Sequence, residues 1–275
     1  MRRVQGVVDV PDGARLAFED VGEGPVVTLL HPGLWDMRTW DPQVEPLVAA
    51  GYRVLRYDLR GYGRSSRLHG ETFSHVRDAA ALLDARDVGT TALVGCSMGG
   101  AIAIDTALGY PDRVWALVPV ASGLGGVEPL EEEQDWWDDV SAPIEEAVEA
   151  GEFERAQDLR LSQLWAPLGT DDEAGSRIRA IAFDNIHELT MDESGEQELE
   201  PPAAHRLGEV DVPTLVVVAG HDPADMRRIA DLIARGIREA RRVTIEDADH
   251  VVSLRTPERL TELLIGFLDD ARPEG

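Results

Sequence analysis

Short apolar runs alternate with segments of helical period along most of this chain. Pro25-Val26-Val27-Thr28-Leu29-Leu30 is continuously apolar but for one threonine, the pattern of a strand buried on both faces. A helix is predicted over 42–50, then a strand over Arg53-Val54-Leu55-Arg56-Tyr57. Residues 74–87 have helical period, with Val76, Ala79, Ala80, Leu82 and Leu83 as the inner face. A strand over Thr91–Gly95, a helix over Met98–Leu108 and a strand over Val114–Val118 follow. Such β-α-β-α alternation demands a mostly parallel sheet with helices on both sides. The beginning differs: Val4–Val10 and Ala14–Val21, separated by Pro11-Asp12-Gly13, predict an antiparallel hairpin at the sheet edge.

The alternation stops near Ser122. Residues 126–205 have helical period without convincing strands. Beyond Pro213 it returns as a strand over Thr214–Ala219, a helix over Pro223–Arg238, a strand over Val243–Glu246 and a helix over Pro257–Asp269. The expectation is an α/β fold with an eight-stranded sheet flanked by helices. Residues 1–125 and 206–275 would form its core, and 126–205 a helical cap inserted after the sixth strand.

Charge changes the picture of that insert. The 275 residues carry 52 Asp and Glu against 26 basic residues, all of them arginine, for a net charge of −26. Between Glu128 and Glu200 stand 23 acidic residues and four arginines (Arg155, Arg160, Arg177 and Arg179), a local net of −19. Such a field repels phosphate backbones and anionic lipid, so no nucleic-acid or membrane partner is expected. One cysteine, Cys96, excludes an internal disulfide and four-Cys zinc sites. No run approaches the about 18 apolar residues of a membrane span, and Met1-Arg2-Arg3-Val4 does not open a signal peptide. A soluble, cytoplasmic protein is expected.

The sharpest motif is Gly95-Cys96-Ser97-Met98-Gly99-Gly100, between a predicted strand and a predicted helix. That context makes G-x-S-x-G informative: a tight turn holds Ser97 proud of the sheet, and the helix N-terminus aims amides at nearby negative charge. A serine hydroxyl needs a base. Of seven histidines, His250 lies in Asp247-Ala248-Asp249-His250, after a late strand, where open α/β sheets gather their sites. Asp222, at the end of the preceding strand, is the expected carboxylate partner, with Asp249, Asp247 and Asp225 as rivals. The order Ser97, Asp222, His250 suits this elbow. Acyl transfer also needs two N–H groups on the developing oxyanion. Met98 supplies one; the loop His31-Pro32-Gly33-Leu34-Trp35 supplies the other from Gly33 or Leu34, since Pro32 has no N–H. His31 itself reads as a strut for this loop. His69, His75, His187 and His205 lack ligand spacing, so no metal is expected. Trp35, Trp136, Trp137 and Trp165 are candidates to line an apolar pocket.

Taken together, these residues resemble the α/β-hydrolase superfamily over essentially the whole chain except the insert. Tyr57-Asp58-Leu59-Arg60-Gly61-Tyr62-Gly63-Arg64-Ser65-Ser66 is similar to a loop normally structural in that superfamily. The spacing from His31 to Trp40-Asp41-Pro42-Gln43 is similar to that of 3-oxoadipate enol-lactonases and related carboxylesterases. Two departures stand out: Pro32 replaces a glycine, and the acid follows Gly220 by two residues instead of three. The resemblance implies a cofactor-free serine hydrolase that cleaves a small carboxylic ester or lactone through an acyl-enzyme. Serine as nucleophile speaks against haloalkane dehalogenases and epoxide hydrolases, and leaves carbon–carbon bond hydrolysis and haloperoxidase-like activity as alternatives. A catalytically inactive receptor of the same fold is the alternative from another class; against it, all three triad candidates are in place. A homodimer is an expectation by analogy with such proteins alone. An anionic lactone would need one of the insert's four arginines to face the pocket.

Overall fold

The structure, a computed structural model, describes residues 2–272. Met1 and residues 273–275, the outer ends of the two expected core parts, lie outside the described residues. Strands β1 (Arg3–Asp9) and β2 (Arg15–Val21) form the expected antiparallel hairpin, with Arg3 opposite Val21 and Asp9 opposite Arg15. There follow β3 (Val26–Leu30), α1 (Asp41–Ala49), β4 (Arg53–Tyr57), α2 (His75–Ala85), β5 (Thr91–Cys96), α3 (Met98–Gly109) and β6 (Val114–Val120). After the insert come β7 (Leu215–Ala219), α7 (Ala224–Gly236), β8 (Arg241–Ile245), α8 (Val252–Arg255) and α9 (Pro257–Ala271). The eight strands lie in the order β1-β2-β4-β3-β5-β6-β7-β8, antiparallel at β1 and β2 and parallel thereafter.

Period-two alternation divides the central strands between two cores. On one face Val26 and Leu30 of β3 and Leu93 of β5 pack with Leu82 of α2, Ile102 of α3 and Ile233 of α7. On the other, Val27, Leu29, Ala92 and Val94 pack with Val44 and Leu47 of α1 and Leu260, Leu264 and Phe267 of α9. Buried acids in β2 are matched rather than exposed. Arg56 Nε donates to Glu19 at 2.8 Å, and Arg53 and Arg86 donate to Asp20, each at 2.8 Å. An ion taken from water costs several kcal/mol unless it is paired in this way.

Two expectations need correction. The four residues of α8 directly follow the His250 loop, too few for a helical period to show in sequence. The insert is not helical throughout. It contains α4 (Glu131–Glu149), α5 (Phe153–Arg160), a π-helical turn over Leu161–Trp165 and α6 (Glu173–Asp184). Residues 191–202 form no helix; they run beside 69–73, where Phe73 N donates to Gly195 O at 3.0 Å and Gln197 N to Phe73 O at 2.8 Å. The polar stretch Asp192-Glu193-Ser194-Gly195-Glu196 has no apolar face to hold a helix on the core.

Candidate active site

Between the end of β5 and the start of α3, Ser97 adopts φ +53° and ψ −117°. A non-glycine residue there stores on the order of 1–3 kcal/mol of strain, so the surroundings must enforce it. They do so through backbone contact that only glycine allows. A Cβ on Gly95 would overlap the Gly99 carbonyl, and one on Gly99 would sit 2.5 Å from Leu30 O and 2.6 Å from His31 O. One on Gly100 would overlap Ser122 Oγ. The Ser97 amide donates to Val120 O at 3.0 Å, while its carbonyl accepts from Gly100, Ala101 and Gly123. The side chain stays partly open to solvent, and its hydroxyl makes no hydrogen bond among the described residues.

The loops after β7 and β8 are interlaced. Gly220 N donates to Ile245 O at 2.9 Å and His221 N to Ala248 O at 3.0 Å, and a side chain at Gly220 would overlap the Glu246 carbonyl. This contact brings His250 Nδ1 to 2.8 Å from Asp222 Oδ1, with both side chains buried. A carboxylate only accepts, so Nδ1 carries a proton, and the neutral imidazole in this tautomer has its lone pair on Nε2. Cys96 Sγ donates to the His250 carbonyl at 3.4 Å, tying the elbow to the histidine loop; burial, with the Asp222 charge adding, pushes that thiol well above its ordinary range. The rival acids have other positions. Asp249 pairs with Arg255 at 2.8 Å, Asp225 accepts from Trp137 Nε1 at 2.9 Å, and Asp247 is exposed.

Beyond β3, His31 Nε2 accepts from the Leu59 amide at 2.8 Å and Nδ1 donates to Pro32 O at 2.8 Å. Burial holds this imidazole below its usual 6.5, so it is a neutral strut joining two loops. Asp58 braces the same region, accepting from the amides of Met37 at 3.1 Å and Arg64 at 2.8 Å, and burial raises its carboxyl. Leu34 has φ +69°, and Gly33 lies against the Met98 thioether and the Tyr62 hydroxyl, which a Cβ there would meet at 3.9 and 3.6 Å. Met98 is the first residue of α3, so its amide has no partner within the helix.

The candidate tryptophans part company. Trp165, at the end of the π-helical turn, tilts 36° over the His250 imidazole with ring centres 4.3 Å apart. Trp137 follows at 5.8 Å from Trp165, and Trp136 lies beyond it, 39% exposed. Trp35 is packed solid: its Nε1 donates to Ile178 O at 2.9 Å among Leu34, Leu161, Ile181, Val251 and Leu254. Sequence reasoning passed over Asn185, which is buried and joins three elements. Its Oδ1 accepts from the Gly63 amide and its Nδ2 donates to Asp36 Oδ2, both at 2.8 Å, and Nδ2 also donates to Ile181 O at 3.0 Å. Partners 122 and 149 residues away leave no local signal.

Among the described residues no group of three or more His, Cys, Asp or Glu could hold a metal ion, and no helix is long and apolar enough to cross a membrane. Two clefts of about 390 Å³ lie away from the triad candidates. One sits at the amino ends of β7 and β8, lined by Thr214, Arg238, Arg241, Phe267 and Asp270. The other is lined by Asp36, Arg38, Arg56, Asp58, Arg64 and Asn185. The first is at the wrong end of a parallel sheet for chemistry, and the second is walled by groups already paired with one another.

Comparison with known proteins accords with this geometry. A zearalenone hydrolase of Bionectria ochroleuca is 32% identical over 118 residues, only 41% of this chain and 45% of that one. Other relatives match over nearly the whole length. A putative carbamate hydrolase of Azorhizobium caulinodans is 31% identical, covering 92% of this chain and 95% of that one. A 2-hydroxy-6-oxononadienedioate/2-hydroxy-6-oxononatrienedioate hydrolase of Paraburkholderia xenovorans is 26% identical, covering 92% and 90%. Among solved structures, a thermophilic esterase of Thermogutta terrifontis superposes with a TM-score of 0.80 at 25% identity, covering 99% of this chain and 100% of that one. The family model of the alpha/beta hydrolases matches residues 28–263, and the chain therefore belongs to the alpha/beta hydrolase family.

Proposed function

We propose that this protein hydrolyses a carboxylic ester or lactone through an acyl-enzyme on Ser97, with His250 as base and Asp222 as its partner. The observation that carries this reading is the buried 2.8 Å bond from His250 Nδ1 to Asp222, beside a serine held at φ +53°. Ser97 Oγ attacks the substrate carbonyl as His250 Nε2 takes its proton. The oxyanion is received by the amides of Met98 and of Gly33 or Leu34. The imidazolium, steadied by Asp222, gives its proton to the leaving alcohol, then activates the water that frees Ser97. Residues 126–205 act as a cap: Trp165 shields one face of His250 from water, and with Trp137 offers an apolar surface to the substrate.

A second reading has one observation in its favour. The relative from Paraburkholderia xenovorans, similar over 92% of this chain, is named for a substrate with a ketone and two carboxylates but no ester. Hydrolysis there must cut a carbon–carbon bond. The likeness to an esterase over 99% of this chain supports ester cleavage as the first reading.

A panel of p-nitrophenyl esters and small lactones, assayed with wild type and Ser97→Ala, tests the proposal. We expect turnover of at least one ester, and a loss of about a thousandfold or more in kcat in the variant. Turnover that survives in Ser97→Ala contradicts the assignment. A wild type inert on every ester and lactone, yet active on a vinylogous 1,5-diketone, favours the second reading.

A further inference from the structure

The insert's arginines decide what charge the site accepts. We infer, resting on the ester-hydrolase reading above, that the site takes substrates uncharged on both sides of the scissile bond and discriminates against those bearing a carboxylate. A carboxylate entering an apolar pocket loses its hydration and needs a cation, or several donors, to compensate. The insert could have supplied one from Arg155, Arg160, Arg177 or Arg179, but each is paired within the protein. Arg155 pairs with Glu152 at 2.7 Å, Arg179 with Asp158 at 3.0 Å, Arg177 with Asp41 and Arg160 with Glu188.

Arg160 is the informative one. Its side chain is 19% exposed and that of Glu188 8%, so this pair faces inward, and a substrate anion would have to displace a buried carboxylate to reach it. Tyr62 lies beside Gly33 and Met98. His187, next to Glu188, bonds the Gly61 carbonyl at 2.8 Å, and the Tyr62 phenol is raised first by burial, then by the charges of Glu193 and Glu188, with Arg160 opposing. Arginines of the core around the site are engaged as well. Arg255 holds Asp249 and Asp172, Arg38 holds Asp36 and Asp184, and Arg228 holds Glu133. Arg67 and Arg227, without a carboxylate partner among the described residues, are exposed and donate to the Gly61 and Gly220 carbonyls. Against His250 stands the Trp165 indole, and the Tyr62 phenol meets the Met98 thioether beside Gly33, in a chain whose residues 128–200 carry a net charge of −19. Indole and thioether give a carboxylate no counter-charge, and the oxyanion amides are taken by the reacting carbonyl.

Three probes separate charge from size: p-nitrophenyl butyrate, p-nitrophenyl hemisuccinate, and the methyl ester of the latter, which matches its length without its charge. We expect kcat/KM for the hemisuccinate to fall at least about tenfold below that for its methyl ester at low ionic strength. The gap should narrow as salt is added, because the insert's field is screened within about 10 Å at 0.1 M. In Glu188→Gln, which removes a carboxylate and leaves Arg160 unmatched, the hemisuccinate-to-methyl-ester ratio should rise by about tenfold. A wild-type hemisuccinate rate equal to that of its methyl ester overturns the inference and leaves ester hydrolysis standing. Absence of any Ser97-dependent turnover on all three probes overturns the ester reading, and this inference with it.

Discussion

Around Ser97 the chain is held by backbone pressed on backbone, whereas helices α4 and α6 of the insert are tied to the core through side chains. At the elbow, the carbonyls of Leu30, His31 and Gly99 leave room for hydrogen alone on Gly95 and Gly99. In the insert, α6 is bound to the core by Trp35 on the Ile178 carbonyl, by Asn185 on Asp36 and Gly63, and by Arg38 on Asp184. Helix α4 is bound by Trp137 on Asp225 and Glu133 on Arg228. Backbone contact leaves no alternative rotamer, so the elbow keeps its strained serine in one place. Side-chain ties can be remade, so α4 and α6 have alternatives that the elbow lacks.

The largest effect should come from breaking the rigid side. A methyl group in Gly99→Ala meets two backbone carbonyls that no rotamer change can relieve. A loss of about 3 kcal/mol in stability is expected by chemical denaturation, with the proposed ester hydrolysis down by about a hundredfold or more as Ser97 shifts. Ordinary activity in this variant would mean that the elbow is not fixed by these contacts. On the other side, Asn185→Ala leaves the part-buried Gly63 amide without its acceptor and Asp36 with one donor fewer. The expected cost is about 2 kcal/mol, with a rise in KM larger than the fall in kcat, because the insert loosens while the elbow does not. A kcat collapse at unchanged KM would instead place Asn185's influence at the reacting groups.

A smaller effect separates core from insert by pH. His75, packed edge-on against Phe73 with no partner at Nδ1, is held down to about 3, chiefly by burial and further by His31 and Arg60. The unfolded chain takes up this proton near 6.5 and the folded chain does not. Stability is therefore fully present above 6.5 and drains away as pH falls from 6.5 toward 3. His75→Leu should flatten that part of the stability curve, as measured by denaturant midpoints at pH 7, 5.5 and 4. An equal slope in variant and wild type would remove His75 from the account of acid sensitivity.

The same contrast explains what can be read from the chain. The alternation of strands and helices is legible because the central apolar runs are buried on two faces and the amphipathic helices on one, and the eight-stranded sheet follows. The turn at Ser97 is legible because crowded backbone demands glycine at fixed offsets. Little of the insert is legible. Asn185 acts through residues more than 120 positions away, and the π-helical turn that sets Trp165 on His250 has no marker in Leu161-Ser162-Gln163-Leu164-Trp165. Residues 191–202 are held by strand-like bonds to 69–73 that a helical reading of 126–205 does not foresee. Trp35 shows the same limit from the other direction: its place in the loop after β3 suggests a pocket wall, yet its indole is spent on α6.

The central claim is that Ser97 is the nucleophile, and labelling with a fluorophosphonate followed by peptide mapping tests it most directly. One adduct per chain is expected, on the peptide containing Ser97, slowed by about a hundredfold or more in Asp222→Asn, which disturbs the His250 tautomer. A chain that takes no label, or one labelled elsewhere with Ser97 untouched, would contradict the account.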